Sequence, residues 1–167
     1  MRLPSRHLHL PPRTATAAVE LALVAPLIVG LLVGLLEVGR IVQINEIVTN
    51  AAREGARSAS TGINNYSTVR TTITNYLTQA GITNQTGITI SITDVTQGSG
   101  TSFDPSTAAW LDQLQVTITL PLNNVRLTPL HFLSTDPNTV ITGQAVWFSN
   151  QDQSYPSNQT ITPPSGS

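Results

Sequence analysis

The chain has 167 residues, which is enough for one domain or one domain with an appendage. It contains no cysteine, and this excludes disulfide frameworks, thiol catalysis and cysteine-based metal sites. Charged residues make up only 10 % of the chain and the net charge is −1, which argues against a basic surface for nucleic-acid binding.

Charge is unevenly distributed along the chain. Residues 1–70 hold seven arginines and four glutamates, a net charge of +3, whereas residues 71–167 hold one arginine and five aspartates, a net charge of −4. Glutamate and arginine favour helices, while aspartate favours turns and caps. The first third is therefore predicted to be helical, and the Thr- and Asn-rich remainder to form strands and loops.

A long apolar segment dominates the first third. Residues 21–36 carry no charge, and a helix over residues 17–36 would be about 30 Å long, which matches the hydrocarbon thickness of a bilayer. A buried core helix would keep a polar stripe, and this segment has none after Glu20. We therefore predict a membrane-spanning helix over about residues 17–38.

The flanks of this segment predict its orientation. Residues 1–14 contain three arginines and no acidic residue, so the positive-inside rule predicts that they form a basic cytoplasmic leader. Everything after about residue 40 is then extracytoplasmic. A cleaved secretory signal is the alternative, but the small-residue cleavage site that it needs is missing between Glu37 and Arg40.

Three residues inside the predicted span bear on helix packing. Pro26 removes one helix hydrogen bond, which membrane spans tolerate. Gly30 and Gly34 have the G-x-x-x-G spacing through which a second helix can approach closely. We expect these two glycines to contact another helix, although small residues are frequent in spans in any case.

The helix is predicted to extend over residues 15–60, with its part outside the membrane over about residues 39–60. There the apolar run becomes a stripe with helical spacing. The stripe consists of Ile41, Ile44, Val48, Ala51, Gly55 and Ala59. Thr61 and Gly62 give the first stop signal. Because one face is apolar, another part of the chain must cover it.

Residues 61–150 are predicted to form a small α+β head over that face. Apolar residues with helical spacing predict a second helix over 66–80, and Gly81 is placed to end it. Two-residue alternation then predicts three antiparallel strands. The strands are expected at residues 88–93, 114–122 and 140–148.

The connections of the head are expected to be long. Residues 97–113 form a Gly/Ser-rich loop in which Trp110 is expected to act as an anchor, and residues 123–138 form a second loop. The polar tail over residues 151–167 is expected to be disordered.

Three segments of the predicted long helix resemble a known family. Residues 17–26 read AAVELALVAP, residues 37–40 read EVGR and residues 49–57 read TNAAREGAR. They resemble the AAVEFALVLP, EFGR and TNAAREGAR segments of TadE-like proteins. The last predicted strand, around Gly143, is similar to the last strand of the family.

This resemblance implies a minor pseudopilin of the tight-adherence (Flp-type) pilus system. It implies a single-span protein of the inner membrane with a pilin-like extracytoplasmic head, no enzymatic activity and no cofactor. The implied partners are other pilin-like subunits, the secretion platform and a prepilin peptidase that cuts between Ala15 and Thr16. Ala15 stands where processed relatives have glycine, and an uncut, permanently anchored protein is the alternative. Neither a nucleic acid nor a small-molecule substrate is expected.

Glu20 is the first candidate site residue. A charge at the centre of a span costs about 2.5–3.5 kcal/mol, and less near the interface. The resemblance implies that Glu20, as the fifth mature residue, sets the register of packed helices, with its charge balanced by a freed N-terminal amine. The alternative is a hydrated glutamate at the membrane interface.

Other candidate site residues follow along the same helix. The family motif covers Glu37, Gly39, Arg40, Asn50, Arg53, Glu54 and Arg57. These residues either contact a neighbouring subunit or form a solvated helix face, on which the pairs Glu37–Arg40 and Glu54–Arg57 are expected at spacing i, i+3. Gly55 is expected to allow close packing against the sheet, which would offset the cost of glycine in a helix.

Catalytic and metal sites are not expected. His7 and His9 lack a third ligand, His131 is isolated, and the aspartates lack the spacing of a calcium loop. The favoured function is a structural subunit for pilus or secretion assembly. The first alternative is a permanently anchored envelope module for binding or adhesion, and the second, an anchored hydrolase, lacks a catalytic constellation.

Overall fold

The computed structural model describes residues 12–125, 136 and 138–151, with side chains described from residue 16. The helices and strands are α1 (Pro12–Ser60), α2 (Tyr66–Gln79), β1 (Thr89–Asp94), β2 (Gln113–Pro121) and β3 (Val140–Phe148). A long N-terminal helix, a short helix and a three-stranded antiparallel sheet confirm the predicted α+β fold.

Helix α1 runs without interruption for 49 residues, with Pro26 inside it. It begins at Pro12, three residues before the predicted start, and it ends at Ser60, where the sequence signals a stop. Gly62 follows with φ of +67°, a conformation that glycine adopts without steric cost.

Helix α2 is defined by signals at both ends. The Asn65 side chain accepts a hydrogen bond from the N–H of Thr68 at 2.9 Å, which satisfies one free donor of the first turn. At the other end Gly81 has φ of +89°, and the N–H of Ile82 reaches the carbonyl of Leu77 at 2.8 Å. This Schellman-type ending follows from the glycine that the sequence places there.

The sheet has the order β1-β2-β3, and both pairs are antiparallel. Ile118 in the central strand lies opposite Ile90 on one side and Gly143 on the other. The apolar residues of β2 and of the turn after it all point inward, and they are Leu114, Val116, Ile118, Leu120 and Leu122. Their burial follows from the two-residue alternation in the sequence.

The core lies between the inner face of this sheet and the two helices. The second half of α1 contributes its apolar stripe, in which Ile44, Val48 and Ala51 are fully buried. Val69, Ile73 and Leu77 of α2 complete the same cluster. The head and the outer half of α1 therefore share one core.

The loop around Trp110 differs from the prediction. Trp110 is 55 % exposed, so its predicted role as an anchor is wrong. Asp112 holds this turn instead, because its carboxylate accepts a 2.7 Å hydrogen bond from the N–H of Ala109. The predicted leader up to residue 11, most of the predicted loop over residues 123–138 and the tail from residue 152 lie outside the described residues.

Candidate assembly interface

The membrane-length part of α1 projects away from the head. Thr16–Ser60 is a candidate membrane span by length and composition, and its most apolar 18-residue window is 0 % buried inside the protein. Leu23 is 81 % exposed and Leu27 72 %. Burying apolar surface is worth about 25 cal/mol per Å², so this surface needs lipid or other helices around it.

One side of the span is open to close approach by a second helix. Gly30 and Gly34 lie one turn apart, and a Cβ atom built on either residue would meet nothing within 4 Å. The same holds for Gly39. No described part of this chain occupies these positions, so the contact with another helix remains a prediction.

The first turns of the span carry the predicted processing and register residues. Glu20 is an exposed side chain on α1. The Ala15–Thr16 peptide bond lies within the helix, about one turn before Glu20. Cleavage and the register role of Glu20 both remain predictions.

Glu37 is buried, which sequence reasoning missed. It is only 4 % exposed, although it ends an apolar span. The signal was present, because Glu37 precedes Ile41, Ile44 and Val48 at steps of four, three and four and so begins the inward stripe. Arg40 Nη1 donates to Gln43 Oε1 at 3.1 Å, and the Glu37–Arg40 pair stays a prediction.

The exposed side of the outer half of α1 is polar. Arg53 Nη1 donates to Asn50 Oδ1 at 3.2 Å, and Arg57 binds Glu54 through two hydrogen bonds of 2.6 and 3.0 Å. These two bonds lower the pKa of Glu54 and raise that of Arg57. The predicted Glu54–Arg57 pair is thus confirmed, and these groups are satisfied within their own helix.

Gly55 lies where α1 meets α2. A Cβ atom at residue 55 would be 2.5 Å from Ile73 Cδ1 and 3.4 Å from Val116 Cγ1. The close packing expected at Gly55 is therefore directed mainly at α2, and the sheet is its second neighbour.

The aspartates of the head hold turns. Asp94 accepts from the N–H groups of Thr96 and Gln97, and Asp104 accepts from that of Ser106. In the described part of the chain no three His, Asp or Glu side chains come together as a metal site would need. His7, His9 and His131 lie outside the described residues.

The similarity to a known protein family lies in helix α1. No curated protein and no solved structure matches the chain. The family model described as TadE-like protein matches residues 15–57. This match confirms the resemblance read from the sequence, and the helix that first projects from the head and then enters its core is similar to the TadE-like family over residues 15–57.

Proposed function

We propose that this protein is a single-span pseudopilin, a structural subunit for the assembly of a pilus or secretion apparatus. Its N-terminus is cytoplasmic, its α1 helix spans the inner membrane, and its head is extracytoplasmic. The observation that carries the proposal is that α1 is continuous. Its first half has the length of a membrane span and is unburied, and the apolar face of its second half lies in the core of the head.

This continuity supports an assembly role on physical grounds. Helix α1 runs without a break from the span into the head. A contact between helices in the membrane therefore fixes the height and rotation of the head above the membrane. Gly30 and Gly34 are open on the span, and small residues let helix backbones approach closely in lipid. Glu20 adds a carboxylate whose charge a group on a neighbouring subunit can balance.

The TadE-like match supports the choice of apparatus. Deleting the gene should abolish pilus assembly, and the wild-type gene should restore it. Gly34→Ile should fail to restore assembly while the protein level stays normal, because a Cβ atom at residue 34 meets nothing within 4 Å beyond its own helix backbone. Leu32→Ile, at an exposed position of the same span, is the matched control and should restore assembly. Normal pili in the deletion strain would contradict the proposal.

The orientation can be tested separately, because the chain has no cysteine of its own. Ser5→Cys lies in the predicted leader, and Thr71→Cys lies on the exposed side of α2. A membrane-impermeant maleimide applied to spheroplasts should label Thr71→Cys. In any chain that keeps its leader, it should leave Ser5→Cys unlabelled until the membrane is opened. The reverse pattern would contradict the proposed topology.

A second candidate function is an anchored binding or adhesion module of the envelope. The specific observation in its favour is a set of exposed aromatic side chains near the end of β3, since Trp110, Trp147 and Phe148 are each about half exposed. Normal pili combined with altered adhesion in the deletion strain would favour this function over the first.

A further inference from the structure

A cleft lies between the start of α2 and the outer edge of β1. Its volume is about 340 Å³, at the lower end of the range of about 300–1,000 Å³ for ligand pockets. One cation and several hydroxyl groups line it. The residues that matter here are Tyr66, Arg70, Ile90, Ser91, Thr101 and Ser102.

Arg70 brings an unbalanced positive charge to this cleft. It is exposed, and the ion pair between described residues joins Glu54 to Arg57 instead. Among the described residues no carboxylate lines the cleft, and Asp94 and Asp104 accept hydrogen bonds from backbone N–H groups of their own turns. No described carboxylate of this chain therefore pairs with Arg70.

The edge of β1 supplies a second recognition element. The N–H of Ile92 donates to the carbonyl of Thr101 at 3.0 Å, and its carbonyl accepts from the N–H of Phe103 at 2.9 Å, so a short segment covers the edge there. The two-residue repeat of a strand places the N–H and carbonyl of Ile90 on the same edge. That carbonyl accepts from the Tyr66 hydroxyl at 2.9 Å, and the N–H of Ile90 faces the uncovered part of the edge.

We propose that the cleft binds a carboxylate carried on an extended peptide segment of a partner protein. Arg70 pairs with the carboxylate, for which the planar guanidinium is well suited. The N–H of Ile90 donates to the peptide backbone, as in the addition of a strand to a sheet edge. An extended peptide fits this site better than an acidic polysaccharide, because its backbone has the spacing of a strand and can continue the hydrogen bonding along the edge of β1. The proposal does not depend on the pseudopilin assignment.

The test uses the full-length chain, ¹⁵N-labelled in detergent micelles. The probes are the peptide acetyl-Thr-Val-Glu-Val-Thr-amide and the same peptide with glutamine in place of glutamate. The glutamate peptide should shift the amide signals of Ile90 and Ser91 and bind up to about fivefold more tightly, which corresponds to about 1 kcal/mol, the upper value for an exposed ion pair. Arg70→Gln should remove this difference. Arg57→Gln, the same change at an arginine paired within its own helix, should keep it.

Three outcomes would overturn the proposal. The first is equal affinity for the two peptides, and the second is an unchanged preference in Arg70→Gln with a native-like spectrum. The third is binding that depends on Arg70 for polygalacturonate but not for the glutamate peptide, which would assign the cleft to an acidic polysaccharide. Signal changes confined to residues outside β1 and α2 would also contradict the proposal, because the peptide would then bind elsewhere.

Discussion

Gly143 of β3 lies against the backbone of Val48 in α1. A Cβ atom at residue 143 would be 2.7 Å from both the carbonyl carbon and the carbonyl oxygen of Val48, and 2.8 Å from the backbone nitrogen of Thr49. The backbones of the strand and the helix are thus in contact. They can approach this closely because residue 143 has a hydrogen in place of a side chain. This contact fixes β3 on the helix that also carries the membrane-length segment.

Gly143→Ala should therefore destabilise the head. The atoms that the new methyl group meets belong to a helix backbone, which cannot rotate away as a side chain can. Overpacking of this kind costs about 1–3 kcal/mol. Thermal unfolding of the full-length protein in detergent, followed by near-ultraviolet circular dichroism, measures the loss. Gly100→Ala is the matched control, because a Cβ atom there meets nothing within 4 Å. Equal stability of the two variants would contradict the contact.

Gly55→Ala should be milder. The nearest atoms, Ile73 Cδ1 and Cγ1, belong to a side chain rather than to a backbone, and alanine gains up to about 1 kcal/mol of helix propensity over glycine. We expect a net loss of about 1 kcal/mol or less. In an Ile73→Ala background the same change should become stabilising, because the methyl group then enters a cavity. A double-mutant cycle on unfolding free energies gives the coupling. Additive effects would show that Gly55 and Ile73 do not meet.

The Glu54–Arg57 pair should make a small, pH-dependent contribution to stability. The hydrogen bonds from Arg57, aided by its charge, hold the folded-state pKa of Glu54 below the ordinary value of 4.5, although partial burial opposes this. A carboxylate whose pKa is lowered on folding stabilises the fold above its unfolded pKa, and this contribution is lost as pH falls through the folded pKa. The effect is modest, because Arg57 is 62 % exposed and solvent screens the pair.

An NMR titration of the Glu54 side-chain carboxyl carbon tests this directly. Its midpoint should lie below 4.5 in the wild-type protein and should rise in Arg57→Gln. Arg53→Gln removes an arginine that donates to Asn50 rather than to Glu54, and it should leave the midpoint almost unchanged. A midpoint that does not respond to Arg57→Gln would contradict the pairing.

The parts of the fold set by local patterns could be predicted from the sequence. The stripe that includes Ile44 and Val48 predicted which face of α1 the head covers, because helical spacing determines which side chains share a face. Alternation predicted β2, and Gly81 predicted the end of α2. In each case the residues that carry the signal are close together in the chain.

Features that depend on contacts between distant segments could not be predicted in the same way. A glycine inside a strand signals a close backbone approach, but nothing near Gly143 says that its neighbour is Val48. Gly55 was expected to face the sheet, yet Ile73 of α2 is its closest contact. Glu37 was predicted either to contact a neighbouring subunit or to lie on a solvated helix face, yet it is only 4 % exposed. Its spacing from Ile41 places it on the inward stripe.

The central claim is that α1 is both the membrane anchor and the core helix of the head. The most direct test is to determine the N-terminus of the protein recovered from its native membranes, by intact mass and N-terminal sequencing. The account predicts a chain that starts at or before Thr16 and so retains the whole segment from Glu20 to Leu36. A start at Thr16 itself would also demonstrate the implied processing, whereas a start at Met1 or Arg2 would leave an uncut anchor. A mature chain that begins after Leu36 would contradict the claim.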